Sequence, residues 1–278
     1  MDLRITNACT NNCLYCLEQT YRVREKCIKK DIILADISEN RHADDIITFY
    51  WWNPLLHPDL WEILNFCRNR WFASIWILTN THSLNKDALS ALISKGLNSI
   101  WFYFNSFDEH AHARVVNGWI SLNELLLNLE HIKKSWIFYK AIIHINRQNI
   151  EHIYQDICIL NKKYWVKHIE FINYFPFDRP YDDFREMLEY STKENRNNID
   201  RLLKMISKLG LRVNFVKFPR NFFGNYDENY DFTKWILEQI WDEDRERLRT
   251  TEKPFCYTEY RCTNCFIKDN CEFYDGEI

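Results

Sequence analysis

Residues 2–16 read Asp-Leu-Arg-Ile-Thr-Asn-Ala-Cys-Thr-Asn-Asn-Cys-Leu-Tyr-Cys. The first five, Asp2 to Thr6, have the composition of a short strand, and the chain then runs straight into a loop carrying Cys9, Cys13 and Cys16. Three thiols within eight residues can be presented by one loop to one face of a metal centre. Iron–sulfur clusters are held by cysteine thiolates and usually need four. Three ligands leave one iron open for another molecule, the logic that separates open catalytic metal sites from closed structural ones. The alternatives are a zinc knuckle or three ordinary buried thiols. A knuckle would want a fourth ligand nearby, and neither Cys27 nor His42 has the usual spacing. The cluster is the favoured reading.

The rest of the chain supplies the frame for that loop. Strand-like segments at Asp45–Tyr50, Ala73–Thr79, Ser99–Phe104, Ile137–Ile145 and Lys167–Phe171 alternate with helix-like segments. The latter lie at Leu60–Arg68, Lys86–Ser94, Ser121–Lys134 and Asn149–Lys162; Leu122, Leu125, Leu126 and Leu129 show the helical spacing. A βαβα order repeated about six times predicts a parallel sheet with helices outside and right-handed crossovers. Function in such folds lies at the carboxyl ends of the strands, where the cysteine loop falls. Beyond residue 175 come a polar loop, an amphipathic helix over Lys193–Leu209 closed by Gly210, and a strand over Leu211–Val216. The charged stretch Asp227–Thr250 reads as mostly helical. We expect a core domain over residues 1–210 and a C-terminal extension over 211–278.

A net charge of −3 gives no reason to expect a nucleic-acid or membrane-surface partner. No apolar run is long enough to span a bilayer, and a secretory signal has no room before Cys9. The expectation is a cytoplasmic protein, whose ten cysteines serve metal or redox chemistry rather than disulfides.

With these residues in view, the chain resembles the radical S-adenosylmethionine (radical SAM) superfamily. The CxxxCxxC spacing, with Tyr15 before the last cysteine, follows a first strand as it does in that family. Residues 46–60, IITFYWWNPLLHPDL, are similar to the strand and loop that family members end in Gly-Gly-Glu-Pro and then Leu-His-Pro-Asp-Leu. Leu78-Thr79-Asn80 resembles the Thr-Asn-Gly turn, and Phe102–Ser106 and Ile142–Asn146 resemble the ends of the fourth and fifth strands. The resemblance implies a partial (β/α)6 barrel in which Cys9, Cys13 and Cys16 hold a [4Fe-4S] cluster. The fourth iron would chelate the methionine amine and carboxylate of S-adenosylmethionine. An electron, from a donor such as flavodoxin or ferredoxin, would then release a 5′-deoxyadenosyl radical that abstracts hydrogen from a substrate. It further implies cofactor contacts at Tyr15, Trp51, Trp52, Asn53, Pro54, Asn105, Ser106 and Asn146. Tyr15 would flank the adenine or simply pack; the loop asparagines and Ser106 would hydrogen-bond ribose or carboxylate.

Cys256, Cys262, Cys265 and Cys271 form a second group spaced C-x5-C-x2-C-x5-C. Its C-x2-C-x5-C portion resembles the auxiliary-cluster segments, of the SPASM and twitch types, of radical enzymes that modify peptides. One auxiliary [4Fe-4S] cluster is favoured; zinc is the alternative, since four thiolates suit both. The tail resemblance points to a peptide or protein substrate. Cys67 and Cys158 read as small core residues, Cys27 as a surface thiol, and His57 as a turn-stabilising residue rather than a catalyst.

One place departs from the family pattern. Trp51-Trp52-Asn53-Pro54 stands where the family has Gly-Gly-Glu-Pro; indoles would crowd the methionine, and Asn53 offers only a neutral acceptor. That departure raises two rival readings: a non-catalytic iron–sulfur protein for electron transfer or sensing, and a zinc-stabilised binding module. Trp71, Trp136 and Trp165 also fall between a helix and the next strand, where glycine is the usual residue. The chain has only 5 glycines but 11 tryptophans. This combination suggests a stop codon recoded as glycine in the source and rendered here as tryptophan.

Overall fold

Strand β1 (Asp2–Arg4) lies parallel to β2 (Ile46–Tyr50), with Asp2 opposite Thr48 and Arg4 opposite Tyr50. In the computed structural model, residues 1–16, 27–40, 45–50, 53–118, 120–173 and 195–216 are described. Strands β3 (Ser74–Thr79), β4 (Ser99–Tyr103), β5 (Phe138–Ile145), β6 (His168–Asn173) and β7 (Arg212–Val216) complete a seven-stranded sheet whose order is the order of the sequence. Every pair with a described register is parallel. The expected parallel α/β fold is therefore the observed one.

The chain divides into two compact units, residues 1–142 with 162–166, and residues 143–161 with 167–278. In the first, strands β2 to β4 are nearly continuous hydrophobic runs, as strands covered on both faces must be. Ile47, Phe49, Ile77 and Phe102 are fully buried. Helices α2 (Leu60–Asn69), α3 (Lys86–Ser94) and α5 (Leu122–Lys134) supply the covering side chains, among them Ile63, Leu64, Cys67, Leu89, Leu92, Leu125, Leu129 and Ile132. Asn85 and Ser121 cap α3 and α5 by accepting from the amides of Ala88 and Glu124. In the second unit, β6 and β7 pair over five positions and stack Phe171 on Phe215, with ring centroids 5.3 Å apart. Helix α7 (Arg196–Leu209) buries Ile199, Leu202, Leu203 and Ile206 and ends at Gly210 in the left-handed conformation, as its sequence predicts.

Two helices were not expected. Helix α1 (Lys30–Asn40) buries Ile33 and Ile37 but leaves Ile32 exposed, so its apolar residues do not form one stripe. Helix α4 (Glu109–Val116) is built from alanine, histidine and valine, whose helix signal is weak apart from alanine. Helix α6 begins at Ile153 rather than Asn149, because Asn149 is used in a turn. Its Oδ1 accepts from the Asn146 amide at 3.0 Å, and its Nδ2 donates to the His144 carbonyl at 2.8 Å. Among the described residues no helix is long and apolar enough to cross a membrane.

Candidate radical SAM cysteine site

The cysteine loop leaves the carboxyl end of β1 and is fastened along its length, mostly through main-chain groups. Thr6 Oγ1 accepts from the Ala8 amide at 3.0 Å, and Arg4 Nε donates to Asn7 Oδ1 at 2.9 Å. The Ala8 carbonyl accepts from the Asn53 amide at 3.0 Å, which ties the loop to the segment after β2. The amides of Asn12 and Leu14 donate to the carbonyls of Val116 and Val115, at 3.1 and 2.9 Å, in the last turn of α4. Those carbonyls are unused within a helix by geometry, so a loop amide can satisfy them. A turn from the Cys13 carbonyl to the Cys16 amide, 3.0 Å, sets the last two thiols.

Gly118, two residues past α4, makes this docking possible. A Cβ on Gly118 would lie 2.5 Å from Asn11 Cα and 2.6 Å from Asn11 Oδ1. Only glycine lets the two backbones approach so closely. Helix α4 is itself held at its start by the segment after β4. Ser106 Oγ accepts from the Asp108 amide at 3.0 Å, and Asp108 Oδ1 accepts from the Ala111 amide at 2.7 Å. Ser106 and Asn105 are both buried. Ser106 thus belongs to the chain of contacts that positions the cysteine loop.

All three thiols are half-buried and free of disulfides. Asn80, just past β3, donates from Nδ2 to Thr10 Oγ1 at 3.1 Å and lies 3.8 Å from Cys9 Sγ. Among the described residues no three histidine, cysteine, aspartate or glutamate side chains converge as ligands of a single metal ion. A cluster does not ask for that, since each thiolate meets a different iron. Leu14 and Tyr15 are buried, and the Tyr15 ring centroid is 6.5 Å from that of Tyr103. Burial first, and then the nearby Cys13, holds the Tyr15 hydroxyl well above its usual pKa, so it stays protonated.

Asn53 is completely buried beside the loop. Its Oδ1 accepts from Thr79 Oγ1 at 2.8 Å, and Thr79 Oγ1 accepts in turn from the Thr81 amide at 2.9 Å. Asn53 Nδ2 is buried and has no partner among the described residues. An orphaned buried donor costs about 1–3 kcal/mol until an acceptor reaches it. Three thiols outside any disulfide on one fastened loop, with a buried orphan donor beside it, fit a cysteine-held cluster and a ligand carrying oxygen acceptors. Pro54 starts a short 3-10 turn over Pro54–Leu56. His57 pins that turn as expected: its Nδ1 accepts from the Asp59 amide at 3.1 Å, so Nε2 carries the proton donated to the Ile28 carbonyl at 2.8 Å.

The remaining expected site residues are Asn146, Trp51, Trp52 and the C-terminal cysteines. Asn146, in the second unit, is buried, but its side chain closes a local turn. Nδ2 donates to the His144 carbonyl at 2.8 Å, and Oδ1 accepts from the Gln148 amide at 2.9 Å. Trp51, Trp52, Cys256, Cys262, Cys265 and Cys271 lie outside the described residues. Cys27 is exposed, Cys67 is buried and Cys158 is half-buried. Sequence reasoning singled out Thr79 only as part of a turn and missed Gly118 as a support of the site. The one signal for Gly118 was its rarity in a chain of 5 glycines.

The sequence profile of the Radical SAM superfamily matches residues 3–157, more than half of the chain. A search of curated proteins found no match. Among solved structures, Streptococcus suis SuiB bound to S-adenosylmethionine superposes with a TM-score of 0.61 at 14% identity, over 77% of this chain and 49% of that one. Methylornithine synthase (PylB) does so with a TM-score of 0.62 at 13% identity, over 90% and 80%. Native anSMEcpe with bound AdoMet and Kp18Cys peptide does so with 0.57 at 14%, over 80% and 64%. The chain spans about half the length of the SuiB structures, and at these identities the likeness shows the fold. A seven-stranded parallel sheet, three cysteines in CxxxCxxC spacing at the end of its first strand, and the profile match over residues 3–157 together establish that the chain belongs to the radical SAM superfamily.

Proposed function

We propose that this protein is an enzyme that reductively cleaves S-adenosylmethionine and uses the resulting radical to abstract hydrogen from a peptide or protein. The observation that carries this reading is the loop bearing three thiols outside any disulfide, whose backbone is fastened at the end of β1 by α4 and Asn53. A [4Fe-4S] cluster on Cys9, Cys13 and Cys16 would supply the electron for cleavage. The chain's own residues hold and shield it. Val115, Val116 and Gly118 set the loop's height, and Leu14 and Tyr15 close its inner side to water. Asn53 offers a buried amide donor to an oxygen of the ligand, with its carbonyl oxygen held by Thr79. Tyr15, Pro54, Asn105, Ser106 and Asn146 complete the proposed cofactor contacts, with residues 51 and 52 beside the methionine.

The peptide class of substrate rests on two supports. One is the spacing of Cys256, Cys262, Cys265 and Cys271, which would hold a second [4Fe-4S] cluster or a zinc ion. The other is the likeness to Streptococcus suis SuiB bound to the precursor peptide SuiA. A flavodoxin- or ferredoxin-type donor in the cytoplasm would deliver the electron. The segment 51–53 favours a second reading, a non-catalytic iron–sulfur protein, because Asn53 stands in place of an acid and its oxygen is already engaged.

The test is release of 5′-deoxyadenosine from S-adenosylmethionine by the anaerobically reconstituted, reduced protein. The Cys13→Ala variant serves as the control. Release by the parent and none by the variant is expected. A full cluster without release would favour the non-catalytic reading.

A further inference from the structure

Six described helices end within described chain, and each is followed by one residue with positive φ: Trp71 (63°), Gly96 (111°), Asn117 (40°), Trp136 (62°), Trp165 (57°) and Gly210 (59°). Glycine takes this left-handed conformation freely, and asparagine tolerates it. For a bulky side chain it is a genuine outlier. Three tryptophans in one chain occupying the position that glycine and asparagine hold elsewhere in the same chain is not scatter.

The hydrogen bonding makes the equivalence specific. After α3, the amides of Gly96 and Leu97 donate to the carbonyls of Ile93 and Leu92. After α7, those of Gly210 and Leu211 donate to Ser207 and Ile206. After α2, those of Trp71 and Phe72 donate to Arg68 and Cys67, in the same register. This is the Schellman closure, whose left-handed residue is usually glycine. Trp71 therefore sits in a glycine position by conformation and by hydrogen bonding.

The side chains of the three tryptophans lie at the surface. Trp71 and Trp136 are 85% and 86% exposed, and Trp165 is 52% exposed. Nothing lies within 4 Å of a Cβ built on Gly210, whereas one on Gly96 would meet Arg68 Cβ at 3.1 Å, so what a side chain meets differs from one helix end to the next. Trp136 and Trp165 touch at 6.5 Å between ring centroids, and the Lys133 ammonium lies 4.4 Å from the Trp165 ring. These are contacts between groups already at the surface. By contrast Trp76 and Trp101, in β3 and β4, pack ring to ring at 4.9 Å without positive φ, as ordinary tryptophans do.

We propose that residues 71, 136 and 165 are glycine in the polypeptide its source cell makes, a codon rendered here as tryptophan being decoded there as glycine. Composition agrees: 5 glycines stand where average usage of about 7% would give about 19. Trp51 and Trp52 belong to the same set, an extension that rests on the radical SAM reading, which expects glycines there. The native segment is then Gly-Gly-Asn-Pro. Methionine can approach a bare backbone at positions 51 and 52, and the obstacle raised by two indoles disappears.

Two measurements test this, and neither reads S-adenosylmethionine cleavage, so their failure is distinct from failure of the proposed function. The first compares melting temperatures of Trp71→Gly with Trp71→Ala, and likewise at 136 and 165. Both substitutions remove the indole, but only glycine relieves the left-handed backbone. Each glycine variant should melt about 2–4 °C above its alanine counterpart. Trp76→Gly, in a strand, should melt below the parent. Equal melting of the glycine and alanine forms overturns the argument from conformation, and leaves the exposed indoles to be explained as a docking surface. The second is peptide mass spectrometry of the protein isolated from its source cells. Glycine masses at 71, 136 and 165 are expected; tryptophan masses there overturn the proposal. Tryptophan confined to 51 and 52 overturns the extension to the methionine site.

Discussion

Replacing Gly118 with alanine adds one carbon where the structure has no room for it. The new Cβ would sit 2.5 Å from Asn11 Cα and 2.9 Å from Asn11 Cβ. Ordinary contact begins near 3.4 Å, so one partner must retreat by roughly 1 Å. Asn11 Cα is main chain and cannot swing aside like a side-chain end, so the cysteine loop itself must move. A shift of that size takes the Asn12–Val116 hydrogen bond from 3.1 Å to about 4 Å, beyond hydrogen-bonding distance. The Leu14–Val115 bond at 2.9 Å is similarly threatened. Overpacking costs about 1–3 kcal/mol, and each lost bond about 0.5–1.5 kcal/mol. The sum is on the order of 2–6 kcal/mol, or roughly 5–20 °C in melting temperature. The displaced thiols should also lower cluster occupancy. The assay is iron and sulfide per chain after anaerobic reconstitution, together with the melting temperature. Gly210→Ala is the comparison, since it strains φ without touching any neighbour and should cost only about 1–2 kcal/mol with full iron content. Parental iron content and melting within about 2 °C for Gly118→Ala would refute the claim that this glycine sets the loop.

Other expectations follow from the same geometry. Alanine at Cys9, Cys13 or Cys16 should abolish iron binding by residues 1–216, whereas Cys67→Ala should leave it intact. Burial pushes the Cys67 thiol up to about 12, so in the folded protein at pH 8 it should resist alkylation while exposed Cys27 reacts; mass spectrometry of alkylated peptides reads both. Thr79→Val removes the hydroxyl that donates to Asn53 and accepts from Thr81. It should cost about 2 kcal/mol or more by denaturant titration, and Thr79→Ser should restore most of it. His112 is buried with Nε2 3.3 Å from the Ile120 carbonyl, and burial lowers its pKa below the usual 6.5. The unfolded chain then binds the proton more readily. Stability from this group is therefore complete above pH 6.5 and is lost as pH falls below it, by at most about 1.4 kcal/mol per pH unit. His112→Gln should flatten that acid limb in unfolding titrations between pH 7.5 and 5.5, and an unchanged slope would count against the assignment.

The elements with a strong period were readable in advance. Lys86–Ser94 was bounded correctly because Asn85 caps it and Leu89 and Leu92 mark its buried face. Helix α4 was not, because Ala111, Val115 and Val116 bury a face without the long side chains that advertise one. The three loop cysteines were legible because ligand spacing is a local property. Their support was not, because the bonds from Asn12 and Leu14 to Val116 and Val115 join main-chain groups about a hundred residues apart. No side-chain pattern records such a bond. The left-handed tryptophans lie between these cases: their place at helix ends was visible in the sequence, and their φ angles supply the conformational reason.

The strand order of the sheet carries a consequence for synthesis. Because β1 through β7 assemble in the order in which they are made, each strand finds its neighbour already present, and the sheet can grow from one edge as the chain emerges. The cysteine loop runs against that order. Its thiols are complete at residue 16, but its braces come from residues 53, 80 and 115–118. At about 5–20 residues per second, roughly 5–20 s separate the making of Cys16 from the making of Gly118. Through that interval the loop has ligands but no cradle, so iron delivered early meets a floppy tripod and oxidants meet open thiols. Maturation of the site is thereby tied to the arrival of α4, and a cell that loads it efficiently does so on a chain already folded past its fourth strand.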